Sequence, residues 1–224
     1  FKIIIIILLI SFSYLFFRFR TYKLKKRALF LKNEVIKRTK ELETLAEIGK
    51  ELNATLDFNS ISTCLHKHLQ QSLNADVFAL ALINSETNKI DFHNVIENGK
   101  PHKDFSIDLH SENHLASICI TTNKTLVLNN YLDAIKYLGK ISHPMAGKKM
   151  HSIIYQPLVA RDGNVIGCIT VQNPNPSHFS TSDVELLKTL ASYTAIAIDN
   201  ALAYQALTTA SNTDYLTGLA NRRA

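Results

Sequence analysis

The chain has 224 residues, 46% of them hydrophobic and 20% charged, a length that holds one core-bearing domain of ordinary size plus further elements. Its formal net charge of +6 is unevenly spread: residues 18–40 carry ten Lys/Arg against the single acid Glu34, a net +9, which leaves −3 for the rest. A basic block confined to one short stretch argues against nucleic acid as a partner and for a neighbouring anionic membrane.

Residues 3–17 form an apolar run softened only by Ser11, Ser13 and Tyr14. The run is shorter than the roughly 20 residues of a spanning helix. Three features favour a span over residues 1–19. The chain opens on Phe1 rather than Met, so sequence is expected upstream. Lys2 and Arg18 can reach opposite interfaces. Phe16, Phe17, Phe19 and Tyr22 resemble an interfacial aromatic belt. A signal-peptide core would need a small-residue cleavage site, which does not follow, and a buried soluble helix would show a polar face. Arg18, Arg20, Lys23, Lys25, Lys26 and Arg27 come next, so the remainder is expected in the cytoplasm. Each of these cations near anionic lipid contributes on the order of 1 kcal/mol.

Residues 20–56 lack Pro, and Gly first appears at Gly49. Leu24, Leu31, Arg38, Leu45 and Leu52 repeat every seven residues, as do Ala28, Val35, Leu42, Gly49 and Leu56. This is the a/d pattern of a coiled coil, and Val35 at a with Leu at d leans toward a parallel homodimer. Arg38 and Gly49 weaken the seam. A monomeric amphipathic helix packed on its own domain is the alternative.

Asp57-Phe58-Asn59-Ser60 offers cap chemistry for a helix with Ile61, Cys64, Leu65, His68 and Leu69 on one face. Residues 76–84 read as a buried strand, 85–88 as a turn, and Ile90, Phe92, Asn94 and Ile96 as its hairpin partner. A third strand is predicted over 105–109, a short helix over 112–122, a short strand over 126–128, and a loop over 129–150. Residues 152–159 and 165–171 flank Arg161-Asp162-Gly163-Asn164, a strong hairpin signal. Overlapping capping boxes, Ser180…Asp183 and Ser182…Glu185, start a last helix running to about residue 211. Leu187, Leu190, Ala191, Thr194, Ala197, Ile198, Ala201 and Leu202 form one stripe of it; Leu186, Tyr193, Ile196 and Leu207 form a second, for a partner helix. The expected class is α+β, an antiparallel sheet flanked by helices.

Cys64, Cys119 and Cys168 show no C-x-x-C spacing, and the nine His form no H-E-x-x-H. Neither a disulfide framework nor a metal site is predicted, and the compartment is expected to be reducing.

The run Ser152-Ile153-Ile154-Tyr155-Gln156-Pro157-Leu158, then Asp162-Gly163-Asn164-Val165-Ile166-Gly167, then Phe179-x-x-x-Asp183-x-x-x-Leu187, with Ala195-Ile196-Ala197-Ile198-Asp199-Asn200-Ala201 after it, resembles a GAF domain. The resemblance implies a small-molecule sensor over residues 57–203. A PAS domain is the competing fold; the helix before the first strand and the long closing helix favour GAF. In the family the ligand pocket lies between the sheet and the region corresponding to residues 105–150, which makes Tyr131, His143, His151 and Tyr155 the ligand-binding candidates. The cyclic-nucleotide pattern of some relatives is matched at Asn173, Phe179 and Asp183, but Pro174 and Val184 break it. Pigment attachment needs a Cys beside a His, which neither Cys119 nor Cys168 has. No cofactor is assigned to this domain.

Asp214-Tyr215-Leu216-Thr217-Gly218-Leu219-Ala220-Asn221-Arg222-Arg223 resembles the D-x-L-T-G-L-x-N-R-R run that opens GGDEF domains. The resemblance implies that residues 204–224 are a linker helix and the start of a diguanylate cyclase domain, placed in the bacterial inner membrane by a single pass. Asp214, Gly218, Asn221 and Arg222 look like coupling residues. No catalytic residue is assigned here, and magnesium and GTP are expected only in the catalytic domain beyond Ala224. The expected whole is the sensory and dimerisation region of a membrane-bound diguanylate cyclase controlling cyclic di-GMP synthesis. A non-catalytic scaffold feeding a phosphodiesterase or another partner is the alternative. A sensor histidine kinase would need a His in residues 200–213, which hold none.

Overall fold

The computed structural model describes residues 2–55, 57–139 and 149–212; for residues 2–13, 37, 38, 40–42, 44 and 206–212 it describes the backbone alone. The chain divides into two compact units, Phe1–Glu47 and Ile48–Ala224.

The first unit is most of one helix, α1 (Lys2–Asn53). The apolar run and the heptad run as far as Asn53 therefore lie in one helix, with no break near residue 19. Tyr14, Phe16, Phe17, Phe19, Tyr22, Leu24, Leu31 and Val35 are exposed along it. Among the described residues no helix is long and apolar enough to cross a membrane. Most of the predicted span, residues 3–13, lies outside the described side chains.

The second unit takes in the last turns of α1. The heptad there is not free for a partner chain, because Leu52 is fully buried and Ile48 nearly so within this unit. Gly49 lies against the Tyr193 ring, where an added Cβ would stand 3.1 Å from the ring carbons. The predicted coiled-coil seam thus gives way, at its C-terminal end, to packing within the chain.

A short link leads to α2 (Phe58–Leu73), whose N-cap Asp57 accepts a 2.9 Å bond from the Ser60 N–H, as the cap chemistry predicts. Ile61, Ser62, Leu65, Leu69 and Leu73 are its buried face; Cys64 and His68 sit at the edge instead of in the core. The strands are β1 (Val77–Asn84), β2 (Lys89–Glu97), β3 (Lys100–Pro101), β4 (Phe105–Asp108), β5 (Leu126–Leu128), β6 (Ser152–Val159) and β7 (Val165–Asn173). All pair antiparallel in the order β3-β2-β1-β7-β6-β5, and β4 shares the free edge of β2 with β3. Asn98 and Gly99, both at positive φ, turn β2 into β3. Gly163, at φ +87°, turns β6 into β7 as the Asp-Gly signal predicts.

The sheet is covered on both faces, so neither face follows a simple apolar-polar alternation. On one side Ala79, Ala81, Ile90, Phe92, Ile107 and Cys168 pack with α3 (Leu115–Thr122). Phe78, Leu80, Ile169 and Val171, of the opposite parity, are buried toward α2 and α5 (Thr181–Asn212), whose Leu65, Leu69, Leu187 and Leu190 are fully buried. Each such leucine contributes about 1.5–3 kcal/mol of burial.

Three local expectations shift. The helix predicted from residue 112 starts at Leu115, because Ser111 and Asp108 use their side chains to hold a turn: Ser111 Oγ accepts from Asn113 N–H, and Asp108 Oδ1 accepts from His110 N–H. The stretch predicted as a loop after residue 128 contains a 3₁₀ turn, Tyr131–Ala134, and a one-turn helix, α4 (Ile135–Leu138). Of the two capping boxes only Ser180…Asp183 is used: Ser180 N–H donates to Asp183 Oδ2 at 2.7 Å and Asp183 N–H to Ser180 Oγ at 3.3 Å. Ser182 already lies inside the helix.

Candidate functional site

The site residues gather at one end of the α3-side core, where the 3₁₀ turn meets the start of β6. The turn is fixed by short polar side chains. Asn130 Oδ1 accepts from Leu132 N–H, and Asp133 Oδ2 accepts from the N–H groups of Asn129 and Asn130, both at 3.0 Å. Lys136 Nζ lies 3.2 Å from Asp133 Oδ1, and with these donors it holds the Asp133 carboxyl below its ordinary range. Ser177 N–H closes onto the Asn129 carbonyl at 2.8 Å. This bracing presents Tyr131 to His151.

The two rings meet edge to face with centroids 5.9 Å apart. Lys149 places its Nζ 3.1 Å from the centre of the Tyr131 ring, a cation–π contact. His151 N–H is bound to the Asn173 carbonyl at 3.0 Å, which fixes its backbone at the head of β6. Its Nδ1 is buried and has no hydrogen-bond partner among the described residues. A buried polar atom left unpaired costs about 1–3 kcal/mol, which makes this nitrogen a candidate contact point for a ligand.

Tyr155 lies four residues along the same face of β6, toward the interior. Burial raises its hydroxyl well above the ordinary range, partly offset by bonds to Thr170 and Gln172 on β7. Beside it Cys119 of α3 and Cys168 of β7 form a buried thiol pair, and their mutual hydrogen bond and burial push Cys168 up. Both cysteines are free thiols. The corner combines two aromatic rings, one cation and a buried imidazole nitrogen with no partner among the described residues, a candidate set for a small planar or anionic molecule.

Of the four predicted residues, the structure brings Tyr131 and His151 together and sets Tyr155 deeper on the same face; His143 lies outside the described residues. Lys149 is not among the predicted four; its place here depends on the 3₁₀ turn that sets Tyr131 beneath it. Asp214, Gly218, Asn221 and Arg222 also lie outside the described residues.

The residues that match the cyclic-nucleotide pattern have other tasks. Asn173 Nδ2 donates to the Asn74 carbonyl at 3.0 Å and to Asp76 Oδ1 at 3.3 Å, while its Oδ1 accepts from Asn175 N–H. Phe179 is buried against His178 and Asp183 caps α5. All three tie the end of β7 and the start of α5 into the body of the domain.

Comparison with known proteins agrees with this architecture. The GAF domain of the phosphoenolpyruvate-protein phosphotransferase from Acinetobacter superposes with a TM-score of 0.61 at 20% identity, over 73% of this chain and 95% of that one. The corresponding GAF domain from Coxiella burnetii gives 0.62 at 18% identity, over 74% and 96%. The formate hydrogenlyase transcriptional activator FhlA of Escherichia coli (strain K12) is 24% identical over 174 residues, covering 77% of this chain but only 23% of that protein. The GAF domain family pattern matches residues 55–199. The chain belongs to the GAF domain family.

Proposed function

We infer that this chain is the sensory and dimerisation region of a membrane-anchored diguanylate cyclase, in which the GAF domain adjusts cyclic di-GMP synthesis from GTP. The observation that carries the reading is α5. This one helix closes the GAF core with Leu187, Leu190 and Ala197, has Leu202 and Tyr204 exposed beyond it, and runs to Asn212, two residues before the sequence at 214–223 that resembles a GGDEF opening. A helix with no Gly- or Pro-rich slack passes on a rotation that a flexible linker would absorb. The proposed input is a small molecule at the Tyr131–Lys149–His151 corner; the proposed anchor is the apolar start of α1, in contact with inner-membrane lipid.

The test uses the full-length protein, including sequence beyond Ala224, in lipid nanodiscs with GTP and magnesium. Leu202→Asp is expected to change cyclic di-GMP output by about fivefold or more, a typical allosteric coupling, with GTP affinity unchanged. Unchanged output would remove relay through α5.

A second reading, a GAF module serving a non-cyclase output, is favoured by the similarity to FhlA, whose name is that of a transcriptional activator. It predicts no cyclic di-GMP from the full-length protein under any ligand, with dimerisation retained.

A further inference from the structure

Where α1 ends and α2 begins, three side chains of different chemistry converge. Glu51 comes from the last turn of α1, and Cys64 and His68, four residues apart, share one face of α2. His68 Nε2 stands 3.1 Å from Glu51 Oε2. One ligand atom from each residue, counting the Cys64 sulfur, lies within 4.8 Å of the others. We propose that Glu51, Cys64 and His68 form a zinc site that clasps the end of α1 to α2.

The donor set selects the metal. Thiolate, imidazole and carboxylate together suit zinc, whereas calcium and magnesium take oxygen ligands. Zinc bond lengths of about 2.0–2.3 Å place ligand atoms roughly 3.3–3.8 Å apart, a spacing these side chains reach by small rotamer changes. Three protein ligands leave a fourth position, and the 54% exposed side chain of Glu51 leaves it open to water. The supports are already rigid. Leu52, Leu65 and Leu69 anchor both helices in the core. Asn200 Nδ2 donates to Asn53 Oδ1 at 3.3 Å, and Asn53 Nδ2 to the Gly49 carbonyl at 2.8 Å, so α1 reaches the site already seated.

On binding, Cys64 gives its proton to solvent and forms the Zn–S bond. His68 Nε2, which donates to Glu51 in the unbound site, gives up that proton, either to its own Nδ1 as the other neutral tautomer or to solvent, and binds zinc through the freed lone pair; Glu51 turns its carboxylate to the metal and one water fills the fourth position. No electron is transferred. Spacing rules for zinc miss such a site because one ligand comes from a different helix, 13 residues before the Cys. The consequence would be regulatory: metal occupancy would hold the last turn of α1 on the GAF domain. This inference is independent of the cyclase reading.

The test is zinc titration of the 224-residue chain in mild detergent, after chelator treatment, in competition with a chromophoric chelator; cobalt substitution gives the ligand signature. One equivalent of zinc is expected at micromolar or tighter affinity, with a thiolate-to-cobalt charge-transfer band in the near ultraviolet. Cys64→Ser should abolish that band. Cys64→Ser, His68→Ala and Glu51→Gln should each weaken zinc by about a hundredfold or more, since even outer partners of metal ligands are worth roughly 10–100-fold. His93→Ala, at the separate His93–Asp104 pair, should leave binding unchanged. Absence of the charge-transfer band in the unaltered chain, or full-affinity zinc binding by the C64S/H68A double variant, would overturn the proposal. The first criterion holds whether or not any variant folds.

Discussion

His151 is held by its backbone at the head of β6 while its Nδ1 remains buried and unpaired among the described residues. Such an atom weakens the fold unless a ligand pairs with it. His151→Leu is therefore expected to raise stability by about 1 kcal/mol while removing any ligand-dependent stabilisation. Urea unfolding with and without candidate ligands checks both halves; a variant less stable than the parent would make His151 an ordinary structural residue. Tyr131, His151 and Tyr155 are legible in the sequence as residue types in the right region. Lys149 is not, because its contact depends on the 3₁₀ turn bringing Tyr131 beneath it. That turn rests on local bonds from Asn130 and Asp133 inside a stretch that reads as a loop.

At the scale of elements, the sheet depends on close approach between β1 and β7. Gly167 pairs with Leu82, and a Cβ there would lie 2.1 Å from the Ala81 carbonyl oxygen and 3.0 Å from Leu82 Cα. Both obstacles are backbone, so the strands would have to part. Gly167→Ala is expected to cost about 2–4 kcal/mol, at or above the usual range for overpacking, as read by chemical denaturation. A cost under about 0.5 kcal/mol would show that the edges of these strands yield freely. Strands with turn signals are the most legible elements: Asp162-Gly163 places the β6–β7 hairpin and Ser85–Asn88 the β1–β2 turn. The short strand β3 follows from Asn98-Gly99, a signal that the fading alternation after Ile96 obscures. The end of α1 escapes a sequence reading for a different reason. A heptad cannot say what its positions face: Leu52 continues the series of Leu24 and Leu31, and Gly49 that of Ala28 and Val35, while both pack inside the GAF domain, with Gly49 against Tyr193.

At the scale of the whole molecule, the GAF unit takes in the end of one long helix and the start of another. One enters at Ile48–Asn53 and the other leaves beyond Ala201. Tyr193 of α5 touches Gly49 of α1, so the incoming and outgoing helices share a contact within the domain. The GAF fold is legible because its second half carries ordered motifs on adjacent strands and a capped helix; the candidate site is less so, because it is assembled from a turn, a strand end and residues far apart in the chain. The most direct measurement is a phase test on α5 in the full-length protein. Residues are inserted after Tyr204, and cyclic di-GMP is measured in nanodiscs. Each added residue rotates the downstream helix by about 100°, so two residues turn it by roughly 200° and seven by close to two full turns. Relay by helix rotation predicts that the two-residue insertion shifts output by about fivefold or more and the seven-residue insertion restores the parental level. Equal output from both insertions, or no cyclic di-GMP from the parent protein, would contradict it.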